Sequence, residues 1–122
     1  MATRESAQLP ITVLGRARLP NGIVGDSGCT VLLFEITYDP HDRRILDVAT
    51  NLSLTGYTGL LKRVLIGGIV DDAVQQATVL ERHYRGPLSK ATVAAIANAV
   101  ANCGALPPTA RLPEGVRERG RP

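Results

Sequence analysis

Cys29-Thr30-Val31-Leu32-Leu33-Phe34-Glu35-Ile36-Thr37-Tyr38 is the stretch on which the reading of the fold turns. This run of β-branched and aromatic residues is the strongest strand signal in the chain. Just after it, Asp39-Pro40-His41-Asp42-Arg43 is a turn-forming cluster, and Arg44 to Thr50 can run back antiparallel to complete a hairpin. Just before it, Gly22, Gly25 and Gly28 punctuate a polar loop through Asp26 and Ser27. That loop follows Pro20-Asn21-Gly22, which ends an apolar then alternating run from Ile11 to Leu19. Nothing between the three strands is long enough for a helical crossover, so the sheet is expected to be antiparallel and to bury one face.

The second half supplies the cover. Ser53 or Thr55 is positioned to cap a helix with Tyr57, Leu60, Leu61, Val64 and Leu65 at helical spacing, and Gly67-Gly68 stops it. Asp71 or Asp72 is positioned to cap a second helix, with Val74, Ala77, Leu80 and Tyr84 as its stripe and Gln75, Gln76, Glu81 and Arg82 toward solvent. Gly86 lies just past its end, and Pro87 suits the first turn of a third helix. In that helix Val93, Ile96, Val100 and Cys103 make the bulky stripe, and the alanines between Ala91 and Ala101 admit a close neighbour.

The expectation is a single α+β domain over 10–104, a three-stranded antiparallel sheet covered on one face by three helices. Residues 1–9 form a lead-in, and 105–122 a Pro/Arg-rich tail expected to be disordered. A sheet this small leaves a second face or an edge exposed, so a homo-oligomer or a protein partner is expected.

Composition narrows the function. The 122 residues include no Trp, one Phe and three Tyr, which disfavours stacking on single-stranded nucleic acid. The net charge of +3 is divided between a tail at +2 and a body at +1, so no broad basic face is expected and nucleic acid is disfavoured as a partner. The N-terminus is polar with no apolar h-region, so no signal peptide is expected, and no apolar run reaches membrane length; a cytoplasmic protein is the expectation.

Chemistry concentrates at the joint of the last two helices, Glu81-Arg82-His83-Tyr84-Arg85-Gly86-Pro87-Leu88-Ser89-Lys90-Ala91. Arg82, Arg85, Ser89 and Lys90 with a helix N-terminus describe an anion cradle; plain helix capping explains the same residues and is the first expectation. His83 and Tyr84 are weak candidates to move a proton, although Tyr84 also closes the apolar stripe. Cys29 is a weak candidate nucleophile with no local base, and Cys103 is read as packing. His41 between Asp39 and Asp42 is read as turn solvation, and no metal site or cofactor is expected.

Gly15-Arg16-Ala17-Arg18-Leu19-Pro20 and the Tyr84-Arg85-Gly86 joint followed by Lys90-Ala91 together resemble the bacterial family catalogued as domain of unknown function 3870, over about Ile11 to Cys103. Arg85 and His83 stand where the family pattern has His and Arg, so no role for an imidazole beside Gly86 is implied. The element order is more distantly similar to NifU-like iron-sulfur scaffolds and SufE-like proteins. The scaffold's three cysteine positions are met only near Cys29, since 50–58 lacks cysteine and Ser89 stands near the third, so cluster chemistry is not expected. The resulting expectation is a non-catalytic binding or accessory subunit. The alternative is a small enzyme acting on an anionic metabolite, and a degenerate scaffold or thiol carrier comes last.

Overall fold

The structure, a computed structural model, describes residues 9–25 and 28–104. Most of the expected lead-in (1–8), the expected tail (105–122) and the loop residues Asp26 and Ser27 lie outside the described residues. Strands β1 (Ile11–Arg18), β2 (Val31–Tyr38) and β3 (Ile45–Thr50) form one antiparallel sheet in the order β1-β2-β3. Leu32, Phe34, Ile36 and Tyr38 of β2 alternate into the core. Ile45 and Val48 of β3 are also buried, yet residues three apart cannot share a face of a regular strand. A register shift between Thr37 and Tyr38 resolves this: Tyr38 pairs with Ile45 and Thr37 with Asp47, leaving Leu46 as an exposed extra residue.

The helices follow as α1 (Thr55–Leu65), a 3₁₀ turn (Val70–Asp72), α2 (Ala73–Ala77), α3 (Leu80–His83) and α4 (Leu88–Cys103). The cover is thus three helical segments with the middle one broken. The break centres on Thr78, whose hydroxyl donates to the Gln75 carbonyl at 2.7 Å, and the bonds around it tighten to i→i+3. Capping follows the expectation in part. Asp72 holds the N-cap position of α2, though without a side-chain cap bond, whereas Leu54, between the expected Ser53 and Thr55, holds that of α1. Gln76 is half-buried rather than solvated, packing its amide over Gly68.

The largest correction concerns α4. Its buried face is Leu88, Ala91, Thr92, Ala95, Ile96 and Ala99, whereas Val93, Val100 and Cys103 are only half-buried. Gly15 is the reason. A Cβ there would lie 2.3 Å from the Ala95 carbonyl oxygen and 2.4 Å from the Ala99 nitrogen, so the helix backbone rests directly on β1. The glycine that opens the Gly15-to-Pro20 stretch thereby has a packing origin.

The closeness serves a second purpose. Asn98 Oδ1 accepts from the Arg16 amide at 3.0 Å and Asn102 Nδ2 donates to the Leu14 carbonyl at 2.7 Å, so two asparagines one helical turn apart occupy the outer edge of β1. Inside, Thr92 donates its hydroxyl proton to the Leu88 carbonyl at 2.8 Å, which makes the Tyr57 hydroxyl the donor in its 2.7 Å bond to Thr92 and ties α1 to α4. Burial pushes the Tyr57 pKa up to about 12. Among the described residues, no helix is long and apolar enough to cross a membrane.

Candidate functional site

The joint is built from a four-residue helix, an extended Tyr84 and Gly86 at a φ of 134°, a conformation glycine accepts without strain. Arg82, His83, Arg85 and Lys90 are exposed. Arg85 Nε turns back to donate to the Arg82 carbonyl at 3.1 Å, and buried Ser89 donates to the Gly86 carbonyl at 3.1 Å. Two of the four cradle residues are therefore engaged with the backbone, as capping requires. Pro87 occupies the N-cap position of α4 and, having no side-chain donor or acceptor, leaves that end uncapped.

His83 and Tyr84 face a different neighbourhood. With Thr55, Gly56, Gly59, Leu60 and Arg63 they line a shallow groove of about 510 Å³ between α1 and α3. The cation on that groove is Arg63; Arg82, Arg85 and Lys90 are not among its walls. Tyr84 also leans on Tyr57, with ring centroids 5.3 Å apart and tilted by 52°, so it closes the rim of the core.

Cys29 is half-buried at the entry to β2, where a Cβ on Gly25 would come within 2.6 Å of its sulfur. Among the described residues its side-chain polar contact is the Asn51 amide at 3.5 Å, and an amide neither takes a proton nor supplies the charge that activates a thiol. Asn51 itself braces the strands, accepting from the Leu33 amide and donating to the Val31 carbonyl at 3.0 Å each. At the hairpin, Asp39 and Asp42 accept from the backbone amides of His41 and Arg44 at 2.7 and 3.0 Å. Among the described residues no group of three or more His, Cys, Asp or Glu is placed to hold a metal ion.

Two features escaped the sequence reading. Arg43, placed in the turn, is 8% exposed and takes a left-handed φ of 63°. Its guanidinium lies over the Tyr38 ring at 5.6 Å, grips Asp71 through Nε and Nη2 at 2.9 and 2.8 Å, and reaches the Gly104 carbonyl at 3.0 Å. It thus clamps the hairpin, the 3₁₀ turn and the C-terminus of α4 together. The Arg43 hydrogen bond lowers the Asp71 pKa, and burial raises that of the adjoining Cys103 thiol. In the sequence Arg43 reads as one more surface turn cation, and no pattern in the chain announces its burial or its partners.

The second feature is the set of residues on the open side of the sheet, a face that the sequence leads one to expect but whose occupants it does not name. Leu14 and Leu33 remain 47% and 36% exposed there, beside Glu35 and Ala49, and with Thr50 and Asn51 they line a shallow concavity of about 290 Å³. Neither a family model, a curated protein nor a solved structure matches this chain. The function therefore has to be argued from these surfaces alone.

Proposed function

We propose that this chain is a non-catalytic binding or accessory subunit that works through the uncovered face of its sheet. One observation carries the reading: leucines on two adjacent strands, Leu14 and Leu33, are exposed side by side on the open face, while Arg82, Arg85 and Lys90 of the expected anion cradle are spread over an exposed turn. Exposed leucines on an open sheet face cost solubility unless something covers them. The kinship with the family of unknown function, and the cytoplasmic setting, belong to this proposal.

A photoreactive residue at Leu33 tests it in the native host, with the same residue at Arg63 as control. The reading expects one discrete adduct from position 33, lost when Leu14→Asp is added, and none from position 63. Adducts from 63 alone, or from neither position, refute it.

A second reading, a small enzyme acting on an anionic metabolite, rests on the groove that gathers His83, Tyr84 and Arg63. Thermal-shift titration with inorganic phosphate and small carboxylates tests that reading. It requires a rise in melting temperature that Arg63→Ala abolishes, and a flat response removes it.

A further inference from the structure

The occupant of the open sheet face can be read from its register, given the docking role proposed above. In β1 and β2, Leu14 pairs with Glu35 and Arg16 pairs with Leu33. These four neighbours form a two-by-two board on the solvent side: leucines occupy one diagonal, and the opposite charges Arg16 and Glu35 occupy the other. All four are exposed, and among the described residues neither Arg16 nor Glu35 has an ion-pair partner within its own chain.

A board of this kind is its own complement. A two-fold axis lying in the interface along the leucine diagonal sets Leu14 against Leu14 and Leu33 against Leu33. The same rotation carries Arg16 of each copy onto Glu35 of the other. Self-complementarity under a two-fold is the defining requirement of a symmetric dimer interface. We infer that the covering partner is a second copy of this chain, docked face to face through Leu14, Leu33, Arg16 and Glu35.

The alternatives on this sheet are less favourable. Edge-to-edge pairing at β1 meets Asn98 and Asn102, which already hold the Arg16 amide and the Leu14 carbonyl. At the far side, the start of β3 is occupied by the Gly67 and Gly68 backbone, which bonds Ile45 at 2.9 and 2.7 Å. Strand spacings of ~4.8 Å across and ~3.4 Å along set the two copies' strands crossing at roughly 70°, close to an orthogonal sheet packing.

The same spacings bound the face at roughly 400 Å² per copy, so the crossed copies bury at most about 800 Å² in all, below the ~1,200 Å² of a stable complex. The dimer is therefore concentration-dependent and salt-sensitive, because the charge pairs sit at a small interface that water can reach.

Sedimentation equilibrium of the full chain tests this. The expected result is a weight-average mass rising from 13.0 kDa toward twice that value as the concentration climbs from about 10 µM to about 1 mM. Arg16→Glu and Glu35→Arg, each placing two like-charge pairs in the dimer, weaken association about tenfold or more, and the double reversal restores it to within about threefold. A chain that stays monomeric throughout, or a dimer indifferent to the single reversals or not restored by the double one, overturns the inference. If position 33 cross-links only to a different protein while the chain remains monomeric, the docking reading stands and the self-association falls. If position 33 yields no adduct, both fall.

Discussion

Replacing Gly15 by alanine puts a methyl carbon into space that α4 already fills. The new Cβ would lie 2.3 Å from the Ala95 oxygen, 2.4 Å from the Ala99 nitrogen and 2.7 Å from the Ala99 Cβ, where normal contact needs ~3.5 Å. Helix and strand must separate by about an ångström. Overpacking of this kind costs about 1–3 kcal/mol. The separation also stretches the 3.0 and 2.7 Å bonds from Asn98 and Asn102 to β1, together contributing about 1–2 kcal/mol more. Alanine restricts the unfolded chain and returns about 0.5 kcal/mol. The net loss is about 2–4 kcal/mol, against a typical total of about 5–15 kcal/mol, and corresponds to a fall of roughly 10–25 °C in Tm for a domain of this size. Urea and thermal denaturation followed by circular dichroism measure it. Gly59→Ala is the internal control: a Cβ there meets nothing within 4 Å, and alanine is the better helix former, so that variant gains about 0.5–1 kcal/mol. A Gly15→Ala protein within about 0.5 kcal/mol of the parent refutes the close-packing argument.

Asp71→Asn leaves the buried Arg43 guanidinium without its carboxylate; because the Asp71 side chain is itself 47% exposed, the expected cost is about 1–2 kcal/mol rather than that of a fully buried pair. The folded Asp71 pKa is lowered, so its stabilisation is present above the unfolded value near 3.9 and disappears as pH falls through the folded value. Parent and variant stabilities measured by urea titration should converge at the acid end, and a constant gap down to pH 2 contradicts the pairing. At the alkaline end Tyr57 holds its proton up to about pH 12 when folded, so its contribution is intact below pH ~10 and lost on rising through about 12. Tyrosinate absorbance should show that late step and Tyr57→Phe should delete it; a variant with an unchanged titration curve refutes the assignment.

The parts of the fold legible in the chain are those fixed by neighbours in sequence. The β2 run, the Asp39-to-Arg43 turn and the helix of Tyr57, Leu61 and Leu65 each carry their period or turn chemistry locally, and three antiparallel strands with a helical cover follow from them. What misled was long-range. The buried face of α4 depends on Gly15, some eighty positions away, which draws Ala95 and Ala99 onto the strand and leaves Val93, Val100 and Cys103 half-buried at the core's margin while Ile96 stays inside. The bulge at Leu46 depends on which β3 residues the core accepts. Thr78 breaks the second helix through a single side-chain bond that competes with the helical pattern.

The site followed the same division. The sequence located the cations and hydroxyls of the joint, and the structure places Arg85 and Ser89 on backbone carbonyls there. It also anticipated that a sheet face or edge would stay open. Which residues share that face required the strand register, since Arg16 and Leu33 become neighbours only when β1 and β2 pair.

The face-to-face dimer is tested most directly by mixing. Arg16→Glu protein alone and Glu35→Arg protein alone each juxtapose like charges across the two-fold, but one copy of each restores both opposite-charge pairs between chains. Sedimentation equilibrium of the equimolar mixture should show association at concentrations where each variant alone stays monomeric, close to the parent's strength. A mixture no more associated than its two components contradicts the account.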